Sequence, residues 1–261
     1  MQGFFVRIKV MIKKTQSDLV WYESERLRDL GIVHGFFGRV GGVSKPPFDS
    51  LNVKHQDKEN LRAVDQNRLT ICQTLGMSPR QLQFASLCHE DSIADCTSSE
   101  HGMTYIDIDS LITQRQGQPL MLSVADCVPV IIANQNNCAV VHVGWRGAKA
   151  GIIQKTIEQL VERGAAAKTL IAAIGPSIAK DSYEVGENVY AQFVETYPDA
   201  VHQSDGKYWL GVGEVVARQL QECGITSIDT SDVDVFSQND EWFSARRGDA
   251  GRNAVIAAIK T

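Results

Sequence analysis

The chain has 261 residues, 43% of them hydrophobic and 22% charged, and a domain of this length buries roughly 70–75% of its unfolded surface, so no disulfide or fibrous framework is needed for stability. Lys and Arg number 26 against 31 Asp and Glu, a net charge of −5, which argues against a general polyanion-binding surface and so against nucleic acid as the main partner. No stretch approaches the roughly 18 consecutive apolar residues that cross a bilayer, and the opening MQGFFVRIKVMIKK lacks the apolar core and cleavage site of a secretory leader, so the reading is cytoplasmic, without a membrane partner.

Residues 1–20 read as an N-terminal extension, partly disordered, with Met11 resembling a natural start, and residues 21–261 as one domain. The apolar positions Leu61, Val64, Ile71, Cys72 and Leu75 within 59–75 predict a helix stopped at Gly76. Leu82–Cys88 and Leu120–Val124 read as strands, and the continuous apolar runs Val128–Ala133 and Cys138–Val143 as buried strands. After Gly144 the pattern changes to Ala150, Ile153, Ile157, Leu160 and Val161, a helical stripe closed by Gly164. A strand at Thr169–Ile174 ends at Gly175 and Pro176, helices follow near Glu187–Tyr197 and Val212–Cys223, and short strands are expected at Val233–Phe236 and Ala254–Ile259. The class is α+β, a single domain with a mixed β-sheet core flanked by helices. Cysteines stand at 72, 88, 96, 127, 138 and 223 with no CxxC pair, which reads as free thiols and metal ligands rather than a disulfide framework.

Three segments put reactive residues where a packed element should end: His34 to Ser44 with Arg39 among glycines, Ala125 to Pro129 with Cys127 at its centre, and His142 to Gly147 with Arg146. A hairpin through Asn134–Asn137 would bring His142 back opposite the start of the preceding strand, close to Cys127. A neighbouring Cys and His suit either a thiolate nucleophile with an imidazole base or two ligands of a soft metal such as Zn²⁺. His89, at the end of the strand Leu82–Cys88, is the natural third ligand, and such a set would leave zinc an open position for water. The bland readings compete: a buried Cys is usually a small hydrophobe, His142 a satisfied core histidine, and the glycines around Arg39 a surface turn. An arginine at a helix start, as Arg146 would be, opposes the dipole unless an anion is near. His34, His55, His101 and His202 carry no such context.

Arg39-Val-Gly-Gly-Val-Ser44 with Ser50-Leu-Asn52, His89, Ala125-Asp-Cys-Val-Pro129, His142-Val-Gly-Trp-Arg-Gly147, Ile174-Gly-Pro176, Ser182-Tyr-Glu-Val-Gly186 and Phe243-Ser-Ala-Arg-Arg247 together resemble the YfiH family of laccase-domain, or polyphenol oxidase, proteins. The ordered set runs from about residue 30 to the C-terminus. The resemblance implies a single α+β domain, a cytoplasmic location, and a zinc held by His89, Cys127 and His142. It also implies purine nucleoside phosphorylase activity with adenosine deamination and methylthioadenosine cleavage. Purine nucleoside and phosphate are then the small-molecule partners, Arg39, Cys127 and His142 the catalytic residues, and Arg39 with Arg146 the phosphate-binding pair; a homodimer is the assembly this allows. Copper oxidation, which needs several centres with many histidines, is poorly supported by six histidines in all. Glu90 stands where the family usually has Gly, and the cysteines common in the family around Ser177 to Ser182 and near Ser231 are absent. The alternative is a cysteine hydrolase or amidase working through Cys127 and His142, for instance on a peptidoglycan precursor.

Overall fold

The computed structural model describes residues 7–56 and 60–261. Two seven-stranded mixed sheets form its centre. The first runs, edge to edge, through Arg7–Val10, Ser227–Thr230, Ile171–Ile174, Val128–Ala133, Cys138–Val143, Ser110–Thr113 and Ile93–Asp95. The second runs through Ile12–Gln16, Leu19–Glu23, Ile32–Phe37, Asn253–Ile259, Leu120–Val124, Gln83–Ser86 and Met103–Ile106. A small third sheet joins Glu184–Val185, Lys207–Leu210 and Val201–Ser204.

The unbroken apolar runs follow from burial on both faces. In the first sheet Val130 and Ile132, with Val141 and Val143 of the next strand, pack with Ile153, Ile157 and Leu160 of one helix and Val215 and Val216 of another. The alternating residues Ile131, Ala133, Cys138 and Val140 face the second sheet, where Leu120, Leu122, Val255 and Ala257 meet them. The far face of the second sheet, Met121, Ala254 and Ile256, packs on Ile71 and Cys72 of the helix Leu61–Thr74. Period-two alternation thus assigns each strand residue to one of two cores, and the layers run helices, sheet, sheet, helix.

The expected extension over residues 1–20 is corrected across its described part. Arg7–Val10 pairs in parallel with Ser227–Thr230, and Ile12–Gln16 forms a hairpin with Leu19–Glu23. The reason is alternation: Leu19 and Trp21 point inward and are buried, and Met11 joins the core between the sheets. Residues 1–6 lie outside the described residues. The stripe after Gly144 is two helices, Trp145–Ala150 and Ile152–Glu162, broken at Gly151, whose φ of 80° is left-handed. Near Glu187 the helix is shorter than expected, Glu187–Tyr190, and continues as turns. Val233–Phe236 is not a strand: the Asp234 carboxylate accepts the amides of Ala179 and Phe236, which takes those amides out of any sheet ladder. All six cysteines are free. Among the described residues no helix is long and apolar enough to cross a membrane.

Candidate metal centre and the cavity beside it

The hairpin between Val128–Ala133 and Cys138–Val143 closes through Asn134, whose side chain accepts the amides of Asn136 and Asn137. Its register sets Pro129 against His142 and Val128 against Val143. Cys127, one residue before the first strand, therefore comes level with Gly144, one residue after the second. A Cβ at Gly144 would lie 3.2 Å from the Cys127 sulfur, so the glycine is what lets the chain pass this close.

His89 arrives from the second sheet, three residues past the strand Gln83–Ser86. Its φ is 65°, left-handed for a residue with a Cβ, a costly conformation that persists where surrounding bonds enforce it. Those bonds come from Asp109, immediately ahead of the strand Ser110–Thr113. The Asp109 carboxylate accepts the His89 amide at 3.0 Å, the Glu90 amide at 2.9 Å and the Cys88 thiol at 2.8 Å. It also pairs with His142 Nδ1 at 2.8 Å, while its carbonyl accepts the His142 amide.

These contacts converge three side chains: the ligand atoms of His89, Cys127 and His142 all lie within 4.8 Å of one another, and among the described residues they form the one such group. The His89 and His142 rings stand edge to face with centroids 4.9 Å apart. Around a tetrahedral ion with bonds of 2.0–2.3 Å, neighbouring ligands sit roughly 3.4–3.8 Å apart, so small side-chain shifts would close the set. Two imidazoles and a thiol suit a borderline-soft ion, and a carboxylate on the far nitrogen of a ligating histidine is a usual outer-shell arrangement. The residues present therefore fit a metal.

The electrostatics agree with that geometry. Burial opposes the charged form of Asp109, yet its bonds from His142, Cys88 and Glu90 outweigh it and hold the carboxyl well below the usual range. Burial likewise opposes the His142 imidazolium, but Cys127 and Asp109 on its two sides raise its pKa to about 9. For His89, burial and then the His142 charge push the pKa down. Without metal, His142 is therefore the site that keeps a proton at neutral pH, and a metal must displace it. Zinc binding at pH 7.5 is expected to release a proton from His142, a release that fades as pH rises past about 9. Titration calorimetry in buffers of different ionisation enthalpy reads this directly, and a buffer-independent heat at pH 7.5 would contradict it.

Gly147 fixes the other wall. A Cβ there would meet the Glu90 carbonyl at 2.7 Å, so the helix Trp145–Ala150 can lie against the loop carrying His89 only with glycine at this position. Gly147→Ala is expected to cost about 1–3 kcal/mol by overpacking. A denaturant midpoint unchanged from the parent would remove this role from Gly147.

A cavity of about 300 Å³ opens beside Cys127, lined among others by Asp126, Trp145, Ile178, Tyr183 and Arg246. Asp126 Oδ2 accepts the Arg246 amide at 2.7 Å, while Oδ1 is buried without a partner. The Arg246 guanidinium lies over the Tyr183 ring at 4.8 Å and donates to the Glu184 carbonyl.

Of the residues expected in the site, His89, Cys127 and His142 come together. Arg146 is exposed and lies over the Trp145 ring at 4.3 Å, near enough for its charge to be felt at His89. Arg39 is differently placed: its guanidinium donates to the carbonyls of Asp49 and Asn239, lies over Phe243, and sits near the carboxylates of Asp49 and Asp249. Those donors hold the protein's own loop, and Arg39 does not line the cavity beside Cys127. Sequence reasoning did not pick out Asp109, Asp126, Tyr183 and Arg246 as individual site residues. Asp109 offered one signal, a charge immediately before a strand that is wholly buried.

Comparison with known proteins agrees with this picture. Residues 33–260 match the model of the family described as multi-copper polyphenol oxidoreductase laccase. A purine nucleoside phosphorylase of Bacteroides thetaiotaomicron is 29% identical over 245 residues, covering 87% of this chain and 91% of that one. One from Deinococcus radiodurans is 30% identical over 237 residues, covering 90% of each. The crystal structure of the Bacillus licheniformis hypothetical protein YfiH superposes with a TM-score of 0.86 at 26% identity, covering 95% of this chain and 99% of that one. YlmD from Geobacillus stearothermophilus, at 24% identity, has the same fold with a TM-score of 0.87, covering 99% of this chain and all of that one. With the family match spanning nearly the whole chain and solved relatives of the same architecture, this protein belongs to the YfiH, or laccase-domain, family.

Proposed function

We propose that this chain is a zinc-dependent purine nucleoside phosphorylase of the cytoplasm, with adenosine deaminase and methylthioadenosine phosphorylase activities. The observation that carries the reading is the convergence of His89, Cys127 and His142, with Cys127 also lining a 300 Å³ cavity, in a chain whose relatives bear the phosphorylase name. The donor set favours zinc, which when bound supplies a Lewis acid with one open position.

The remaining work falls to the chain's own groups. Tyr183 and Trp145 give the cavity aromatic walls against which a purine can stack. Asp126, also in the lining, accepts the Arg246 amide through Oδ2 and so fixes that wall of the cavity. Cys127 is the one member of the metal-ligand set that lines this cavity, and Asp109 orients the His142 imidazole behind it. Arg146 at the rim supplies positive charge for an incoming anion.

One observation favours a second reading. Asp109, His142 and Cys127 form a chain of contacts in which the carboxylate orients the imidazole toward the sulfur, the arrangement of a cysteine amidase. His89 counts against it, since a hydrolytic triad leaves this second imidazole, within 4.8 Å, without a task.

Adenosine with inorganic phosphate tests the choice. Release of adenine and ribose 1-phosphate, or of inosine by deamination, with loss of both on strong chelation and recovery on adding zinc, supports the phosphorylase. Full activity in verified zinc-free protein, with a Cys127 acyl adduct trapped from an amide substrate, would replace it with the hydrolase.

A further inference from the structure

On the helix side of the second sheet, close to the metal centre, lies a separate cleft of about 140 Å³. Its lining includes three basic side chains, Lys54, His55 and Arg68, with the Ser86 hydroxyl at the end of the strand that leads to His89. Among the described residues no carboxylate lines it. Asp65, outside the lining, faces His55 Nε2 at 2.9 Å, and its charge is felt at Arg68.

The cations are built into place. Arg68 rises from the helix Leu61–Thr74, lies over the Phe84 ring at 3.7 Å and donates through Nε to the Val53 carbonyl. This packing orients the guanidinium, and among the described residues its two terminal nitrogens make no hydrogen bond. Lys54 is held at its backbone by Asn52, which accepts the Lys54 amide and donates to its carbonyl. Its half-buried ammonium has neither an ion pair nor a hydrogen bond among the described residues. Burial, and then the charge of Arg252, push its pKa down, and its own charge is felt at His89. Asp65 serves His55 and is felt at Arg68, so among the described residues the partly buried Lys54 ammonium is the cation left without a counter-ion, an arrangement an added anion would relieve.

We infer that the cleft of Lys54, His55, Arg68 and Ser86 is a binding subsite for a free phosphate ion, set beside the metal centre. An arginine fork, an ammonium and a hydroxyl are the donors that a tetrahedral oxyanion takes. The cleft, at about 140 Å³, has less than half the volume of the cavity beside Cys127, about 300 Å³, a size that suits a small oxyanion such as inorganic phosphate. The use of this phosphate in turnover rests on the phosphorylase reading, whereas its binding does not.

The experiment therefore measures binding without nucleoside, in metal-free protein, by amide NMR and calorimetry with inorganic phosphate, ribose 1-phosphate and chloride. Inorganic phosphate is expected to bind and to shift the amides around residues 54, 68 and 86, with chloride and ribose 1-phosphate much weaker. Lys54→Gln and Arg68→Gln are each expected to weaken phosphate by roughly tenfold or more. Arg218→Gln removes the same charge from a distant helix residue paired with Glu222 and is expected to change nothing. Lys54→Gln contributes no side-chain bond to the fold, so it decides the matter if Arg68→Gln fails to fold. Phosphate shifts confined to the rim around Arg146, or equal affinity in the parent and Lys54→Gln, would overturn the subsite. Ribose 1-phosphate binding as tightly as phosphate would replace it with a sugar-phosphate site. Phosphate binding with no phosphorolysis would leave the subsite standing and sink the enzymatic reading instead.

Discussion

Replacing Cys127 by alanine is expected to empty the metal centre and stop turnover. Among the described residues the sulfur is one of three ligand atoms within 4.8 Å of one another, and neighbouring Asp126 has its Oδ2 committed to the Arg246 amide. Two imidazoles alone bind zinc far more weakly. The loss should therefore exceed the roughly 10–100-fold that removal of an outer-shell partner costs. Alanine leaves the strands Leu120–Val124 and Val128–Ala133 intact, because both are held by ladders on either side. Metal analysis of the purified variant, run beside nucleoside turnover and a melting curve, checks the prediction. An empty site with a parental melt of the metal-free form is expected. A variant that keeps stoichiometric metal while losing turnover would instead make Cys127 the nucleophile.

The second large effect is expected at Asp109, which touches no substrate and acts as a positioning residue. Asp109→Asn keeps the shape but puts an amide where at least one donor now points inward. The carboxylate accepts from two backbone amides and a thiol as well as facing His142, and an amide oxygen cannot serve both sides. Each buried donor left without an acceptor costs about 1–3 kcal/mol. Zinc affinity is expected to fall about 10–100-fold through misoriented His142. The His142 imidazole, no longer facing a carboxylate, should also titrate lower than in the parent, with Cys127 still raising its pKa. That shift, read from the histidine NMR signals across pH, separates positioning from mere loosening. An unchanged titration with lower stability would reduce Asp109 to a structural role.

Much of this centre was legible because it grows from a hairpin. The runs Val128–Ala133 and Cys138–Val143 carry no polar interruption, Asn134–Asn137 can only be a turn, and counting inward from it sets Cys127 beside His142. His89 followed as a ligand type at a strand end. Asp109 was hidden because its partners are 20 and 33 residues away, and no short-range pattern marks a carboxylate that will meet two distant loops. The pairing of two sheets into one core was hidden for a related reason. A strand buried on both faces looks the same in sequence whether a helix or another sheet covers it. Arg39 shows the converse: its glycine-rich surroundings signalled a special loop, but the glycines serve the loop's own packing. A Cβ at Gly42 would fall 2.2 Å from the Ser50 carbonyl oxygen.

The three ligands do not come from one piece of the fold. His89 hangs from the second sheet, His142 ends a strand of the first, and Cys127 sits on the short link where the chain crosses from one to the other. Whatever ion they share is therefore gripped by both halves of the sandwich at a single rim, like a clasp on a hinged locket. Occupancy and cohesion become one equilibrium: each tenfold rise in free ion above its dissociation constant adds about 1.4 kcal/mol to the native state. An ion lost from this rim would then loosen the seam between the two sheets as well as empty the site.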